Sequence, residues 1–205
     1  MRSAGPVGED RRVPILVEPA LPTGHLRDRP QPRLSIDDEL TLRPWQAGDA
    51  EAVRTAFGCP EIQRWHVRRI DTAAEALDWI EGWGPRWLAD RDVSWAVVGP
   101  ADEVLGQAGF RGLDLVDATA EVSYWVLPSA RGRGVAVRAA RAVVGWSFAE
   151  LGLARLGLRH STANLGSCRV AERAGFALEG TLRSAARHAD GRHDMHLHAV
   201  VSAAS

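Results

Sequence analysis

The sequence predicts one α/β domain, a mixed and mostly antiparallel sheet with helices on both faces. Three observations carry that expectation. Apolar residues make up 45% and charged residues 25% of the 205 residues, the balance of a globular chain with room for one substantial core. Between residues 94 and 126, three strand-like runs follow one another across short turns rich in glycine or aspartate, as in an antiparallel meander. After Val126, helical and strand-like segments alternate, which places part of the sheet in parallel register.

Residues 1–33 contain Pro6, Pro14, Pro19, Pro22, Pro30 and Pro32. Each proline removes a backbone donor and fixes φ, so this stretch reads as an extension ahead of a domain at residues 34–205. Residues 14–18 are the candidate edge strand within it. Residues 39–44 alternate as a first strand that Pro44 ends, and residues 49–57 read as a helix. Thr72, with Glu75 three residues on, is a capping-box signature. The helix it opens carries Leu77, Ile80, Trp83 and Trp87 at helical spacing, with a break at Gly84-Pro85. Strands follow at 94–98, 104–110 and 121–126, then a helix at 135–150, a strand at 156–159 and a helix at 166–174. Strands at 176–182 and 194–201 complete the sheet.

The formal net charge of -1 supplies no field to recruit nucleic acid or an anionic membrane, and neither is expected as a partner. Cys59 and Cys168 lie far apart without CxxC spacing, which suggests neither a zinc site nor a disulfide framework. A reducing, cytoplasmic setting is expected, because there is no apolar run long enough to span a bilayer and no apolar signal region at the N-terminus. Oligomeric state stays open; in a homodimer the extension could reach the neighbouring chain.

The stretch Tyr124 to Ala136 carries the chemistry. A strand ends at Val126, Pro128 prevents its continuation, and Arg131-Gly132-Arg133-Gly134-Val135-Ala136 leads into an amphipathic helix. Val137, Ala140, Val144 and Phe148 are expected to form that helix's buried stripe, with Arg138 and Arg141 off it. A helix start offers unpaired N–H groups and a positive dipole end, and Gly132 and Gly134 let an anion approach the backbone. Val137 stands where a dinucleotide fingerprint needs glycine, and no Gly-Lys-Ser/Thr follows, so neither a Rossmann turn nor a P-loop is present.

At this turn the sequence resembles a known family. Arg131-x-x-Gly134-x-Ala136 matches the Q/R-x-x-G-x-G/A coenzyme A motif of the GCN5-related N-acetyltransferases (GNAT), and the pieces that follow resemble the ribosomal-protein N-acetyltransferase (RimJ/RimL-like) branch. They are Glu121-Val122-Ser123-Tyr124-Trp125-Val126, the helix end from Gly145 to Gly152, Asn164-Leu165-Gly166-Ser167-Cys168-Arg169-Val170 closing at Gly175-Phe176, Gly180-Thr181-Leu182-Arg183, and Asp190-Gly191-Arg192-His193-Asp194-Met195. The resemblance runs from about Leu40 to Val201. It implies a GNAT-like fold and transfer of an acetyl group from acetyl-CoA to a primary amine, on a protein N-terminus or a small molecule, by direct attack. It leaves open a longer acyl donor, or a coenzyme A-binding regulatory or interaction protein without catalysis.

The family pattern assigns roles by position. Val126, Arg131 to Ala136, Asn164 and Ser167 are the coenzyme-binding positions, with a backbone N–H near Val126 for the oxyanion. An alkyl amine has a pKa of about 10.4, so something must take its proton at neutral pH. Glu121 is the candidate base, unless it is solvated or paired to an arginine; Asp194 is a rival that resembles a structural aspartate. Many relatives protonate the thiolate with a tyrosine where this chain has Ala171, and the sole tyrosine, Tyr124, resembles a packing residue. Ser167 is therefore the candidate acid, unless it serves the helix backbone. Asn164 either caps that helix or holds the pantetheine arm. Cys168 invites a covalent route, but no spacing pairs it with a histidine.

Asp194, His196 and His198 share one strand face, with His193 on the other. The corresponding family strand holds no metal, and none is expected here. Trp65, Trp79, Trp83 and Trp87 fall in the helical region that forms the family's acceptor side, where core packing is the plain reading for most of them. Glu61, Trp65 and His66 are the candidate acceptor contacts.

Overall fold

A computed structural model describes residues 16–203. One eight-stranded sheet runs through them in the order β1-β2-β3-β4-β5-β6-β8-β7. The strands are β1 (Leu34–Ser35), β2 (Thr41–Arg43), β3 (Val93–Val98), β4 (Val104–Asp114), β5 (Thr119–Val126), β6 (Arg155–Ser161), β7 (Ala177–His188) and β8 (Gly191–Val201). The helices are α1 (Ala50–Gly58), α2 (Pro60–Gln63), α3 (Ala73–Glu81), α4 (Trp83–Leu88), α5 (Val135–Ala149) and α6 (Leu165–Arg173). Every neighbouring pair of strands is antiparallel except β5 and β6. The mixed, mostly antiparallel sheet flanked by helices is the architecture expected from the sequence.

The local rules mostly act where the sequence places them. Thr72 Oγ1 accepts from the Glu75 N–H at 3.2 Å, while Glu75 Oε2 accepts from the Thr72 N–H at 3.0 Å, closing the capping box of α3. The helix break falls at Gly82 rather than at Gly84-Pro85. Pro85 sits in the first turn of α4, where a backbone N–H has no intrahelical partner to lose. The one-turn helix α2 follows from Pro60 at its first position, and the two-residue β1 is too short for any periodicity to reveal.

The apolar core lies on both faces of the sheet. On one, Trp87, Trp95, Phe110 and Trp146 pack with the buried side of α5, with Trp95 and Trp146 edge-to-face at 5.0 Å. On the other, Val53, Phe57, Ile62, Ile80 and Trp125 pack beneath α1 to α3, with Trp45 and Trp79 edge-to-face at 5.0 Å. Most of the tryptophans are thus core residues. Beside the second cluster, the buried Arg43 forms a two-pronged pair with Asp49, at 2.7 and 2.8 Å, and a further bond to Asp102.

The described part of the proline-rich extension differs from a segment that merely precedes the domain. Leu21 and Leu26 are buried in the core. The Asp90 carboxylate accepts from the N–H groups of Gly24 and Leu26, and the Trp87 and Trp95 indoles donate to the carbonyls of Arg29 and Pro32. Prolines rule out a helix or an interior strand, but leave the carbonyls and apolar side chains free to pack. Within the candidate edge strand at 14–18, Pro14 and Ile15 lie outside the described residues, and Leu16 to Glu18 form no strand.

Candidate active site

Strands β5 and β6 are bonded only over Thr119–Glu121 against Arg155–Gly157. Beyond Glu121 they diverge, and a cleft of about 680 Å³ opens between them. The Leu127 N–H bonds to the Leu105 carbonyl on β4. Since successive N–H groups point to opposite edges of a strand, the Val126 N–H faces the split, where β6 no longer pairs with it.

At one end of the cleft, Gly132 and Gly134 have φ of 76° and 72°, in the left-handed region that side chains disfavour. No atom stands within 4 Å of where a Cβ would be at either position, so the turn is glycine for its backbone shape, with open space above it. Gly134 caps α5 without any side-chain hydrogen bond, which leaves the first N–H groups of α5 free for an anion. Arg131, Arg169 and Arg173 line the same cleft. Of the coenzyme positions read from the sequence, Val126, Arg131, Gly132, Gly134, Val135, Ala136, Asn164 and Ser167 line it together. Arg133 does not; its carbonyl accepts from Arg138, which also pairs with Asp37 and Glu39.

Asn164 caps α6, its Oδ1 accepting from the Ser167 N–H at 3.0 Å. The cap uses the amide oxygen, so the NH2 group is the part left for a ligand. Tyr124 packs against the core, as a packing residue should, and also lines the cleft. Its hydroxyl closes no hydrogen bond of good geometry, although the Ser167 hydroxyl lies close enough to act on it. Burial, partly offset by Ser167, pushes the phenol up to about 12, so Tyr124 stays protonated at neutral pH. Ala171, where many relatives carry their tyrosine, is fully buried in the core. Strand alternation puts Tyr124 on the face of β5 toward α5, but only the fold reveals that α6 brings Ser167 to it.

Glu61, Trp65 and His66, the positions read from the sequence as acceptor contacts, line the cleft, as do Arg111, Arg159, Ser161 and His188. The Cys59 thiol donates to Glu61 Oε2 at 2.9 Å, and this bond, with the charge of Arg131, lowers the Glu61 carboxyl. Burial, reinforced by the charge of Arg111, lowers His66 to about 4, so its ring is neutral at pH 7. Trp65 meets His188 edge-on at 5.9 Å and His193 at 6.2 Å, with the Arg64 guanidinium over its face. Glu121 is paired: Arg159 Nε donates to its carboxylate at 2.5 Å, and Arg111 is its cross-strand neighbour. Arg159 and Arg111 line the cleft while Glu121 does not.

Sequence spacing does not reveal a second polar chain. Ser161 Oγ is 2.7 Å from His193 Nδ1, and His193 Nε2 is 2.8 Å from Asp190 Oδ1, forming a hydrogen-bonded path from the cleft wall to an exposed carboxylate. Asp194 instead accepts from the Ser184 N–H, a structural contact. Histidines do lie beside Cys168 in space, though none is paired with it by spacing: His160, His196 and His198 surround it. Burial and Glu172 raise the Cys168 thiol, which weakens it as a nucleophile.

Comparison with known proteins places this geometry. The acetyltransferase (GNAT) domain family matches residues 39–177. The Bacillus subtilis (strain 168) protein YdaF, whose provisional name is ribosomal N-acetyltransferase, is 30% identical over 155 residues, covering 72% of this chain and 83% of that protein. The ribosomal-protein-serine acetyltransferase of Escherichia coli (strain K12) is 34% identical over 101 residues, or 49% of this chain and 56% of that protein. The ribosomal alpha-N-protein acetyltransferase RimL, solved in complex with coenzyme A, shares the fold with a TM-score of 0.78 at 19% identity, covering 85% of this chain and all of the other.

Proposed function

The chain belongs to the GNAT acetyltransferase family, and from that membership we propose that it transfers the acetyl group of acetyl-CoA to a primary amine by direct attack. The observation that carries this reading is the split between β5 and β6, which brings an uncapped helix start and the Ser167–Tyr124 pair into one cleft. The acceptor we favour is a protein N-terminus, as in the RimJ/RimL-like branch, because the Escherichia coli relative and the solved neighbour are named as ribosomal-protein acetyltransferases and the Bacillus subtilis relative carries the same name provisionally.

Acetyl-CoA supplies the thioester. The N–H groups at the start of α5, with Arg131, Arg169 and Arg173, are suited to hold its phosphates, and the Asn164 amide its pantetheine arm. The Val126 N–H is placed to donate to the carbonyl oxygen as negative charge develops there. The amine nitrogen bonds to the carbonyl carbon, the C–S bond breaks, and the Ser167 hydroxyl, with Tyr124 beside it, donates a proton to the departing sulfur as it takes one from the attacking nitrogen. Glu121 accepts the amine's proton through water when Arg159 shifts; the Ser161–His193–Asp190 chain is the second route, favoured by its unbroken hydrogen bonds. The Glu61 carboxylate attracts a cationic acceptor, and Trp65, with Arg64 over one face, adds an apolar wall beside it.

Release of free thiol from acetyl-CoA, measured across N-terminal peptides and small amines, tests the reading. Turnover with at least one peptide amine is expected, with Ser167→Ala lowering kcat about a hundredfold. If neither Ser167→Ala nor Glu121→Gln slows thiol release with any amine, these roles are wrong. Should coenzyme A bind and no amine be acetylated, a binding protein without catalysis takes the place of the enzyme.

A further inference from the structure

We propose that His160, Cys168, His196 and His198 bind one divalent transition-metal ion of the zinc type, held between β6, β8 and α6. The inference stands apart from acetyl transfer and would survive its failure.

The topology assembles the four. β6 and β8 run antiparallel with His160 opposite His196, and His198 lies two residues on along the same face of β8. Helix α6 brings Cys168 over that face. One ligand atom from each residue lies within 4.8 Å of every other. Metal–ligand bonds of about 2.0 to 2.3 Å place the donors of a tetrahedral zinc site about 3.3 to 3.8 Å apart. The Nε2 atoms of His160 and His198 are already 3.2 Å apart. The widest separation must shrink by about 1 Å, which rotations about the side-chain torsions can supply.

The hydrogen-bond pattern leaves lone pairs aimed inward. His160 Nδ1 lies 2.8 Å from the Ser161 carbonyl, which can only accept, so Nδ1 carries the proton and Nε2 is bare. The Phe176 carbonyl acts on the His198 ring without closing a full hydrogen bond to its Nδ1. If His198 carries its proton on Nδ1, two bare nitrogens face each other at 3.2 Å. If it carries the proton on Nε2, its buried Nδ1 is an acceptor with no donor. Nδ1 of His196 is buried and unpartnered as well. A cation ligated by the facing nitrogens and the Cys168 sulfur uses these lone pairs, with the Ser161 carbonyl behind the His160 ring as an outer support. The Cys168 thiol donates to Glu172 Oε1 at 3.5 Å; once the sulfur is a thiolate, Glu172 adds the second negative charge that balances a dication. Cys168 and His196 are only partly buried, which gives an ion a way in, while His160 and His198 are enclosed.

An ion here fastens α6, the helix that carries Asn164 and Ser167, to the sheet. The full-length, untagged chain purified without chelators is expected to hold roughly one zinc per chain and to lose thermal stability when the metal is stripped. The stripped chain, titrated with Co(II), is expected to give the visible bands of tetrahedral cobalt and a near-ultraviolet sulfur-to-cobalt charge-transfer band, both saturating at one equivalent and both displaced by zinc. Cys168→Ser removes the charge-transfer band, Cys59→Ser leaves it, and His196→Gln weakens Co(II) binding at least about tenfold. A stripped chain with an unchanged circular dichroism spectrum, no retained metal and no cobalt bands overturns the proposal. So does a charge-transfer band that survives Cys168→Ser or disappears with Cys59→Ser.

Discussion

His66 shows how a single ring reports its surroundings. Burial, aided by Arg111, lowers its folded pKa to about 4, while the unfolded chain protonates it near the ordinary 6.5. Between those values the unfolded state binds more protons, so His66 contributes stability that is complete above pH 6.5 and is lost as pH falls toward 4. Thermal melts of the wild type and His66→Gln across that window should converge as the pH drops; parallel curves would show that His66 does not titrate this way. Tyr124→Phe is expected to lower kcat several-fold while leaving the KM for acetyl-CoA unchanged, because the phenol meets Ser167 and lies away from the phosphate end. The sequence made Ser167 and Asn164 legible through motif spacing. The alternation of β8 also put His196 and His198 on one face, but the Ser161–His193 bond and the approach of His160 and Cys168 to that pair were hidden, since each joins residues from strands or helices that become neighbours only when β6 pairs with β8.

Among the elements, α5 concentrates the binding chemistry at its first turn. Gly134→Ala forces a side chain into the left-handed region, at about 1 to 2 kcal/mol. Relief of that strain would tilt the N–H groups away, and a weakening of acetyl-CoA affinity by roughly tenfold is expected in calorimetry, together with a melting temperature lowered by about 2 to 8 °C. Asn164→Ala removes the α6 cap, at about 1 kcal/mol, and should also lower kcat because Ser167 is bonded to that cap. The long helices and central strands were readable from apolar periodicity and capping chemistry. The boundary at Gly82 was not, because Pro85 is compatible with a helix's first turn and so marked the wrong residue as the break. Nor was the divergence of β5 from β6, which depends on what each strand pairs with and leaves no mark on either strand alone.

For the whole molecule, the segment before β1 acts as a strap. Leu26 is fully buried, and its N–H and that of Gly24 converge on Asp90. Leu26→Ala is expected to cost about 2 to 5 kcal/mol in denaturant unfolding, as for any enclosed leucine, and a change under 1 kcal/mol would mean the strap is dispensable. Composition pointed away from this, because proline density argues against regular structure and says little about packing. Among the described residues, the pairing of β5 with β6 over Thr119–Glu121 is the only strand pairing between β1–β5 and β6–β8. It works as the pivot of a pair of scissors whose blades are β5 and β6. Val126 stands five residues beyond that pivot, about 16 Å of extended chain. A turn of about 5° at the pivot therefore moves the tip of the blade by about 1.4 Å, half the length of a hydrogen bond. Any ligand that grips both blades at once has its leverage set by where along that length it takes hold.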